Sequence, residues 1–226
     1  MSVQNRSTAV MQRRAEPQFS LDDFPTPPWA TRALCEALQS PADELLGGPP
    51  HAPTTGNMIV REPAANRGHM VHPLREYFST VEASDVFDYG AGFPQADYLF
   101  GPDPRPVDWT ITNPPFRLAE AFIDRALRSS RMGVAVIVRS AFLEGVGRHK
   151  RLFSACPPAR VLQFAERVVM HKGKLSPKGS TATAYAWLIW DLTRKTETAF
   201  GWIGPCRKRL ELPCDYPLET ATEAAA

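Results

Sequence analysis

The sequence predicts an α/β fold in which a mixed, mostly parallel sheet carries helices on both faces. Two observations lead to this prediction. Short apolar runs alternate with helix-like segments along the chain, and residues 133–138 contain no polar side chain, which is typical of a parallel strand buried on both faces. With 226 residues, 43% of them hydrophobic, the chain is long enough to bury one such core.

One domain is predicted over residues 21–204. It lies between a polar segment at 1–20, expected to be a flexible arm, and a tail at 205–226. The first helix of the domain is expected at 30–38, because two prolines stand where they could start it. A loop rich in proline and glycine, 40–57, should connect this helix to the sheet.

The turn after the first predicted strand, residues 58–60, has the composition of a ligand-binding corner. Glu62 opens a run of small residues, and a helix is expected behind it at 70–78. A dinucleotide site would need three glycines, whereas this turn has Gly68 and an Asn66 that tolerates left-handed φ. A carboxylate here would repel a pyrophosphate, so we expect a nucleoside that carries a positive group.

Acids follow the next strands at the positions where a nucleoside would need them. The second strand is predicted at 80–84 and ends at Asp85, 23 residues after the acid of the first turn. An acid at this spacing is placed to accept hydrogen bonds from ribose hydroxyls, with Asp88 as the competing choice. Further along, Asp97 and Tyr98 could bind an exocyclic amine and the face of a purine.

The most informative stretch is a strand at 107–112 followed by Asn113, Pro114, Pro115 and Phe116. Proline fixes φ and has no N–H group, so two prolines hold their carbonyl groups in place without a competing turn hydrogen bond. The asparagine adds a side-chain carbonyl, and the phenylalanine adds a flat face. A pair of acceptors beside a stacking ring suits a planar amine. An ordinary loop with a core phenylalanine is the alternative.

The rest of the domain continues the alternation. A helix is predicted at 117–131 and another around 147–155, with a strand at 160–164. Two further strands at 182–190 and 198–203 are predicted to form a closing antiparallel pair.

A basic region follows the Asn-Pro-Pro-Phe stretch. The whole chain has a formal net charge of +2, but residues 117–178 contain thirteen Lys or Arg against four Asp or Glu, whereas residues 1–116 are net acidic. Such a positive region attracts phosphate backbones, although a solvated helix face explains part of it. Within it, the loop at 167–181 is either a disordered surface loop or a mobile contact to nucleic acid. The expected phosphate contacts are Arg167, Lys172, Lys174 and Lys178.

Composition sets several negative expectations. The sequence has no run of 18 apolar residues and no apolar leader segment at its start, so we expect a cytoplasmic protein without a membrane partner. Its cysteines form no CxxC pair and no cluster with histidine, so neither a metal site nor a disulfide framework is expected. These cysteines are Cys35, Cys156, Cys206 and Cys214.

Over roughly residues 23–190 these stretches resemble the S-adenosylmethionine-dependent amino-methyltransferases that act on N6 of adenine in DNA. Thr26 opens a Thr-Pro-Pro element, and the turn after the first strand reads Glu-Pro-Ala-x-x-x-Gly, with Asn66 where many members have glycine. The resemblance implies cofactor contacts from Thr26, Pro27, Glu62, Pro63, Ala64, Asn66, Gly68, Asp85, Asp97 and Tyr98. It implies catalytic roles for Asn113, Pro114, Pro115 and Phe116.

The resemblance implies a Rossmann-like class I methyltransferase that binds S-adenosylmethionine and acts on DNA. The order of the motifs is similar to the gamma arrangement and to small phage-type adenine methyltransferases. In such an enzyme the asparagine and proline carbonyls hydrogen-bond the target amine, and the phenylalanine stacks on a base that has left the duplex. About 45 residues follow the basic loop, too few for a further recognition domain, so we expect low or short sequence specificity, or readout by the basic loop or a second subunit.

Two other interpretations remain open. The same motif occurs in enzymes that methylate RNA adenine, RNA guanine or a glutamine amide in a protein, and the basic region favours nucleic acid over protein. A nucleic-acid-binding module with a vestigial cofactor pocket is the interpretation from another class.

Overall fold

A seven-stranded sheet forms the centre of the computed structural model, which describes residues 22–39, 55–193, 195 and 197–216. The predicted arm, the tail beyond residue 216 and most of the predicted loop at 40–57 lie outside the described residues. The strands are β1 (Ile59–Glu62), β2 (Thr80–Ala83), β3 (Val107–Thr112), β4 (Ser130–Arg139), β5 (Arg160–Phe164), β6 (Tyr185–Asp191) and β7 (Ala199–Ile203).

The sheet is mixed, in the order β2-β1-β3-β4-β6-β5-β7. Strands β1 to β4 are mutually parallel, β6 is antiparallel to both of its neighbours, and β7 is parallel to β5. Described helices on its faces are α1 (Pro28–Gln39), α2 (Val71–Leu74), α3 (Ala119–Arg128), α4 (Val146–Arg148) and α5 (Arg207–Leu210). Short turns complete the connections, at Thr55–Asn57, Ser140–Leu143, His149–Phe153 and Pro213–Asp215.

Helices cover the central strands from both sides. In β4, Ala135 and Ile137 point toward α1, whereas Val134 and Val136 point toward α3. Both sets are fully buried, which explains why residues 133–138 of this strand have no polar side chain. The apolar stripe of α1 includes Leu34, which is also fully buried. The layers thus fix the carboxyl ends of β1, β2 and β3 at one edge of the sheet.

Element boundaries differ modestly from the prediction around α3 and α4. The helix predicted at 117–131 begins later, at Ala119, and ends earlier, at Arg128, because Ser130 and Arg131 already belong to β4. The helix predicted around 147–155 is a short α4 followed by a π turn, His149–Phe153.

The two closing strands run antiparallel to each other, but they do not pair, and the predicted direct pairing is wrong. Strand β5 lies between them and pairs with both. The physical reason lies in burial. In β6 both faces are buried, as for Trp187 and Leu188, so this strand fits the interior of the sheet. In β7, Phe200 and Trp202 are exposed, so this strand fits the edge.

The described part of the predicted tail packs on the domain. The buried Arg32 on α1 donates to the carboxylate of Asp215 at 2.8 Å, to that of Glu76 at 2.7 Å and to the carbonyl of Leu210 at 2.9 Å. The chain through Tyr216 is therefore fastened to α1 and to the segment after α2.

We expect Arg32→Ala to lower the free energy of unfolding by about 3–5 kcal/mol, because it leaves the buried carboxylate of Asp215 without its counter-charge. Chemical denaturation measures the change. Arg209→Ala is the matched control, since its ion pair with Glu36 is exposed and should matter little. Equal effects of the two substitutions would contradict this account.

Among the described residues, no helix has the length and apolarity needed to cross a membrane. The same part of the chain contains no group of three or more His, Cys, Asp or Glu side chains that could hold a metal ion.

Candidate functional site

A pocket of about 220 Å³ opens at the carboxyl ends of β1, β2 and β3. This edge is where doubly wound sheets bind their ligands. Nine of the residues predicted to form a site line the pocket: Thr26, Pro63, Ala64, Asn66, Asp85, Asp97, Tyr98, Asn113 and Pro115. The other five of the predicted cofactor and catalytic residues lie outside the lining: Pro27, Glu62, Gly68, Pro114 and Phe116.

Sequence reasoning missed part of the lining. Asp22 and Phe24 come from the segment before α1, and His69 and Tyr89 come from the loops after β1 and β2. Burial lowers the pKa of His69 to about 4, so this imidazole is neutral at pH 7. Proximity to the Thr-Pro-Pro element was the available signal for the first two residues. No comparable signal in the sequence marked His69 or Tyr89.

Glu62 lies at the end of β1 and is fully buried. Its Oε1 accepts hydrogen bonds from the Ala64 backbone N–H at 2.9 Å and from Thr112 Oγ1 at 2.6 Å. Its Oε2 has no partner within the described residues, and neither has the buried Oγ1 of Thr26. Burial raises the pKa of Glu62 to about 8. One buried oxygen without a partner in this part of the chain, Thr26 Oγ1, therefore belongs to the pocket lining, and a second, Glu62 Oε2, lies outside it at the end of β1.

The turn after β1 contains the left-handed backbone that its sequence suggested. Asn66 has φ of +50°, the left-handed conformation expected for a glycine replacement. Its backbone N–H donates to Asp85 Oδ2 at 2.8 Å, which ties the turn to the end of β2. Gly68 has φ of +86°, and a Cβ there would lie 3.0 Å from the ring of Phe93, so a side chain would be strained and crowded.

The predicted nucleoside-binding acids differ in environment. Asp85 is buried and accepts the N–H groups of Asn66 and Phe87, while burial raises its pKa. Asp97 is exposed at the pocket rim and accepts the Leu99 N–H at 2.9 Å. Asp88, the competing choice for the ribose acid, does not line the pocket.

Tyr98 contributes a ring to the pocket lining. It is buried, and its ring centroid lies 5.1 Å from that of Phe122, which also lines the pocket. Its hydroxyl lies 3.3 Å from Ser129 Oγ. The ring is thus held in one orientation, with an apolar neighbour beside it.

The Asn-Pro-Pro-Phe turn presents carbonyl oxygens. The Asn113 side-chain N–H donates to the Phe24 carbonyl at 2.8 Å, and this contact assigns the amide orientation. Within the described residues, neither Asn113 Oδ1 nor the Pro114 carbonyl accepts a hydrogen bond, whereas the Pro115 carbonyl accepts the Leu118 N–H. Asn113 Oδ1, in the pocket lining, and the carbonyl of the adjacent buried Pro114, outside the lining, therefore both lack a hydrogen-bond donor in the described part of the chain.

Phe116 lies beside the pocket rather than in its lining. Its backbone N–H donates to the Asp22 carboxylate, and its ring centroid lies 5.4 Å from that of Phe24. The guanidinium carbon of Arg139 lies 3.9 Å from the centroid of the same ring. In this state one face of the predicted stacking ring is already covered.

Asp23 joins three parts of the site. Its buried carboxylate accepts hydrogen bonds from the Asn66 side chain at 2.7 Å and from Arg67 at 3.0 Å. Its backbone carbonyl accepts the Gly173 N–H at 2.9 Å. The segment before α1, the turn after β1 and the basic loop are therefore fastened at one residue.

The basic loop folds back onto the site. Met170 is buried, with its Sδ 4.0 Å from Asn113 Nδ2, and the next turn bonds to the segment before α1 through Gly173. The predicted phosphate contacts are all exposed on this loop: Arg167, Lys172, Lys174 and Lys178. The prediction of a substrate contact by this loop thus has a basis in proximity to Asn113.

No protein-family model and no curated protein matches the sequence. Solved structures are similar. A protein from Listeria monocytogenes, assigned as a class I S-adenosylmethionine-dependent methyltransferase, has a TM-score of 0.56 and 14% identity, covering 81% of this chain and 67% of that one. The modification subunit of a protein assigned as a type I restriction enzyme, from Vibrio vulnificus, has a TM-score of 0.53 and 17% identity.

The match to the Vibrio protein covers 87% of this chain, which spans half of that protein's length. A protein from Pyrococcus horikoshii, assigned as an RNA methyltransferase, has a TM-score of 0.50 and 17% identity over 78% of this chain and 91% of that one. The fold is that of class I methyltransferases. The predicted fold class, a Rossmann-like mixed sheet with helices on both faces, is confirmed.

We expect Glu62→Gln to stabilise the protein increasingly as the pH rises. The folded pKa of about 8 lies above the ordinary value of 4.5, so the folded state holds the proton more tightly than the unfolded state. The contribution of Glu62 to stability is therefore complete below pH 4.5 and is lost as the pH rises through 8. Thermal unfolding of both proteins between pH 5 and 9 measures the difference, with the exposed Glu144→Gln as control. A difference that is constant across this range would contradict the assignment.

Proposed function

We propose that this chain transfers a methyl group from S-adenosylmethionine to the exocyclic N6 amine of adenine in DNA. The observation that carries the proposal is the pair of carbonyl oxygens without a donor among the described residues, on Asn113 in the pocket lining and on the adjacent Pro114, within a class I methyltransferase fold. An exocyclic amine has two N–H groups, and two fixed acceptors suit it.

The pocket fits the cofactor. The α-ammonium group of the methionine moiety needs acceptors, and Thr26 Oγ1 and Glu62 Oε2 are the unsatisfied buried oxygens beside the pocket. Asp85 accepts two backbone N–H groups, and an ionised carboxylate has further lone pairs for ribose hydroxyls. Asp97 at the rim and the fixed ring of Tyr98 are placed for the adenine moiety.

The chemistry required of the protein is orientation. When bound, the cofactor supplies an electrophilic methyl group on a sulfonium. The adenine amine is a weak nucleophile because its lone pair is delocalised into the ring. Asn113 Oδ1 and the Pro114 carbonyl would accept the two N–H groups and hold the nitrogen with its lone pair toward the methyl group. No strong base is needed, since the methylated amine is acidic and loses its proton after transfer.

Nucleic acid is the substrate class that the charge favours. The region from residue 117 to 178 is strongly basic, and its exposed loop bonds to the segment before α1 and contacts Asn113. The similarity to a restriction-modification subunit supports DNA, as does the resemblance of the motifs. RNA is the second candidate, because one similar structure is assigned as an RNA methyltransferase.

We expect Asn113→Ala to reduce methyl transfer by about 10²–10³-fold, the usual loss when one fixed hydrogen-bonding group of a transition state is removed. The affinity for S-adenosylmethionine, measured by calorimetry, should change little, because Asn113 contacts the acceptor amine. Asn57→Ala, on an exposed turn, is the control and should leave transfer unchanged. Transfer near the wild-type rate in Asn113→Ala would overturn the catalytic assignment.

We expect Thr26→Val to weaken cofactor binding about tenfold, since a hydrogen bond to a charged group is lost and the side-chain shape is kept. Thr31→Val is a close control: the Thr31 hydroxyl on α1 is also buried and unpartnered within the described residues, but it does not line the pocket. Calorimetric titration with S-adenosylmethionine measures both. Equal weakening by the two substitutions would show that packing, and not a cofactor contact, is responsible.

A further inference from the structure

The last residue of β4, Arg139, lies beside the Asn-Pro-Pro-Phe turn. Strand β4 pairs in parallel with β3, the strand that leads into Asn113, and Arg139 extends past the end of that pairing. It lies opposite Tyr185 in the register with β6, and it is exposed. A cation is thus fixed at the edge of the site without being part of the pocket lining.

Arg139 covers an aromatic surface. Its guanidinium carbon lies 3.9 Å from the centroid of the Phe116 ring and 5.7 Å from that of Phe24. The guanidinium is planar and delocalised, so it occupies a ring face much as a nucleobase would. Base stacking on an aromatic ring is stronger than an exposed cation–π contact, so a base can displace it.

Arg139 also lacks a counter-charge. Within the described ranges it makes no ion pair, unlike Arg67, which pairs with Asp23 beside the pocket. An exposed guanidinium without a carboxylate, beside a proposed nucleic-acid site, is suited to a bidentate contact with phosphate.

We propose that Arg139 is a substrate-binding residue with two positions. In the free protein its guanidinium covers the face of Phe116 on which the target base stacks. In the complex the base takes this face, and the displaced guanidinium pairs with a phosphate beside the extruded nucleotide. This inference rests on the proposed function and adds a residue to the same site.

The test measures ligand binding to the protein in the presence of saturating S-adenosylhomocysteine, which carries no methyl group to transfer. Two ligands separate the two positions: deoxyadenosine, which has no phosphate, and a 20-base-pair DNA duplex titrated at several NaCl concentrations. For Arg139→Ala we expect duplex affinity to fall about tenfold. The slope of log affinity against log salt should decrease by about 0.9, the value of one phosphate contact. Deoxyadenosine should bind more tightly, because the ring face is already vacant.

Two further variants sharpen the result. Arg139→Lys keeps the charge and loses the planar group, so it should keep the salt slope and still bind deoxyadenosine more tightly than the wild type. Arg75→Ala removes an exposed arginine after α2, outside the pocket lining, and should change neither affinity nor slope. Unchanged binding of S-adenosylmethionine in each variant confirms that the pocket is intact.

An unchanged slope together with unchanged nucleoside affinity in Arg139→Ala overturns the proposal. Weaker binding of both ligands overturns it as well, since Arg139 would then be a permanent wall of the base site. A wild-type protein that binds the duplex but methylates no adenine overturns the proposed function. The difference in salt slope between the wild type and Arg139→Ala still decides whether Arg139 contacts a phosphate. A wild-type protein that binds no nucleic acid overturns both.

Discussion

The buried carboxylate of Asp23 is the interaction on which the arrangement of the site depends. The carboxylate accepts hydrogen bonds from the side chain of Asn66, whose backbone is left-handed, and from the guanidinium of Arg67. The backbone carbonyl of Asp23 accepts the N–H of Gly173 in the basic loop. A buried charge needs such partners, because an unpaired one is costly. The same segment supplies Phe24, whose carbonyl orients the Asn113 amide. One short segment before α1 therefore positions the turn after β1, the Asn-Pro-Pro-Phe turn and the basic loop together.

Two buried oxygen atoms at the site have no hydrogen-bond partner in the described ranges, and each lowers the stability of the folded protein. Glu62 keeps one carboxylate oxygen unsatisfied in a fully buried position, and Thr26 keeps an unsatisfied hydroxyl nearby. Both atoms cost free energy while they lack a partner, and they gain one if a cationic group binds beside them. On this account the two atoms lower the stability of the free protein and raise its affinity for a positive ligand. Glu62 is protonated at neutral pH, and a positive ligand beside it favours the ionised form.

Local patterns predicted much of this molecule, and long-range arrangement was predicted less well. The apolar run of β4, the left-handed Asn66 and the position of Asn113 at a strand end all follow from short stretches, and all are present. The place of β7 was mispredicted, because pairing partners distant in sequence are chosen by burial across the whole sheet. The contact of Arg139 with the Phe116 ring was missed for the same reason: it joins the end of β4 to the turn after β3, and no local pattern marks it.

The central claim is methyl transfer to an adenine amine, and one measurement tests it most directly. The protein is incubated with radiolabelled S-adenosylmethionine and, separately, duplex DNA, single-stranded DNA, RNA and protein extract, and the products are digested and separated as nucleosides or amino acids. The account predicts label in N6-methyladenine from DNA. Label confined to RNA or protein would contradict the substrate, and no label in any acceptor despite cofactor binding would contradict the proposed activity.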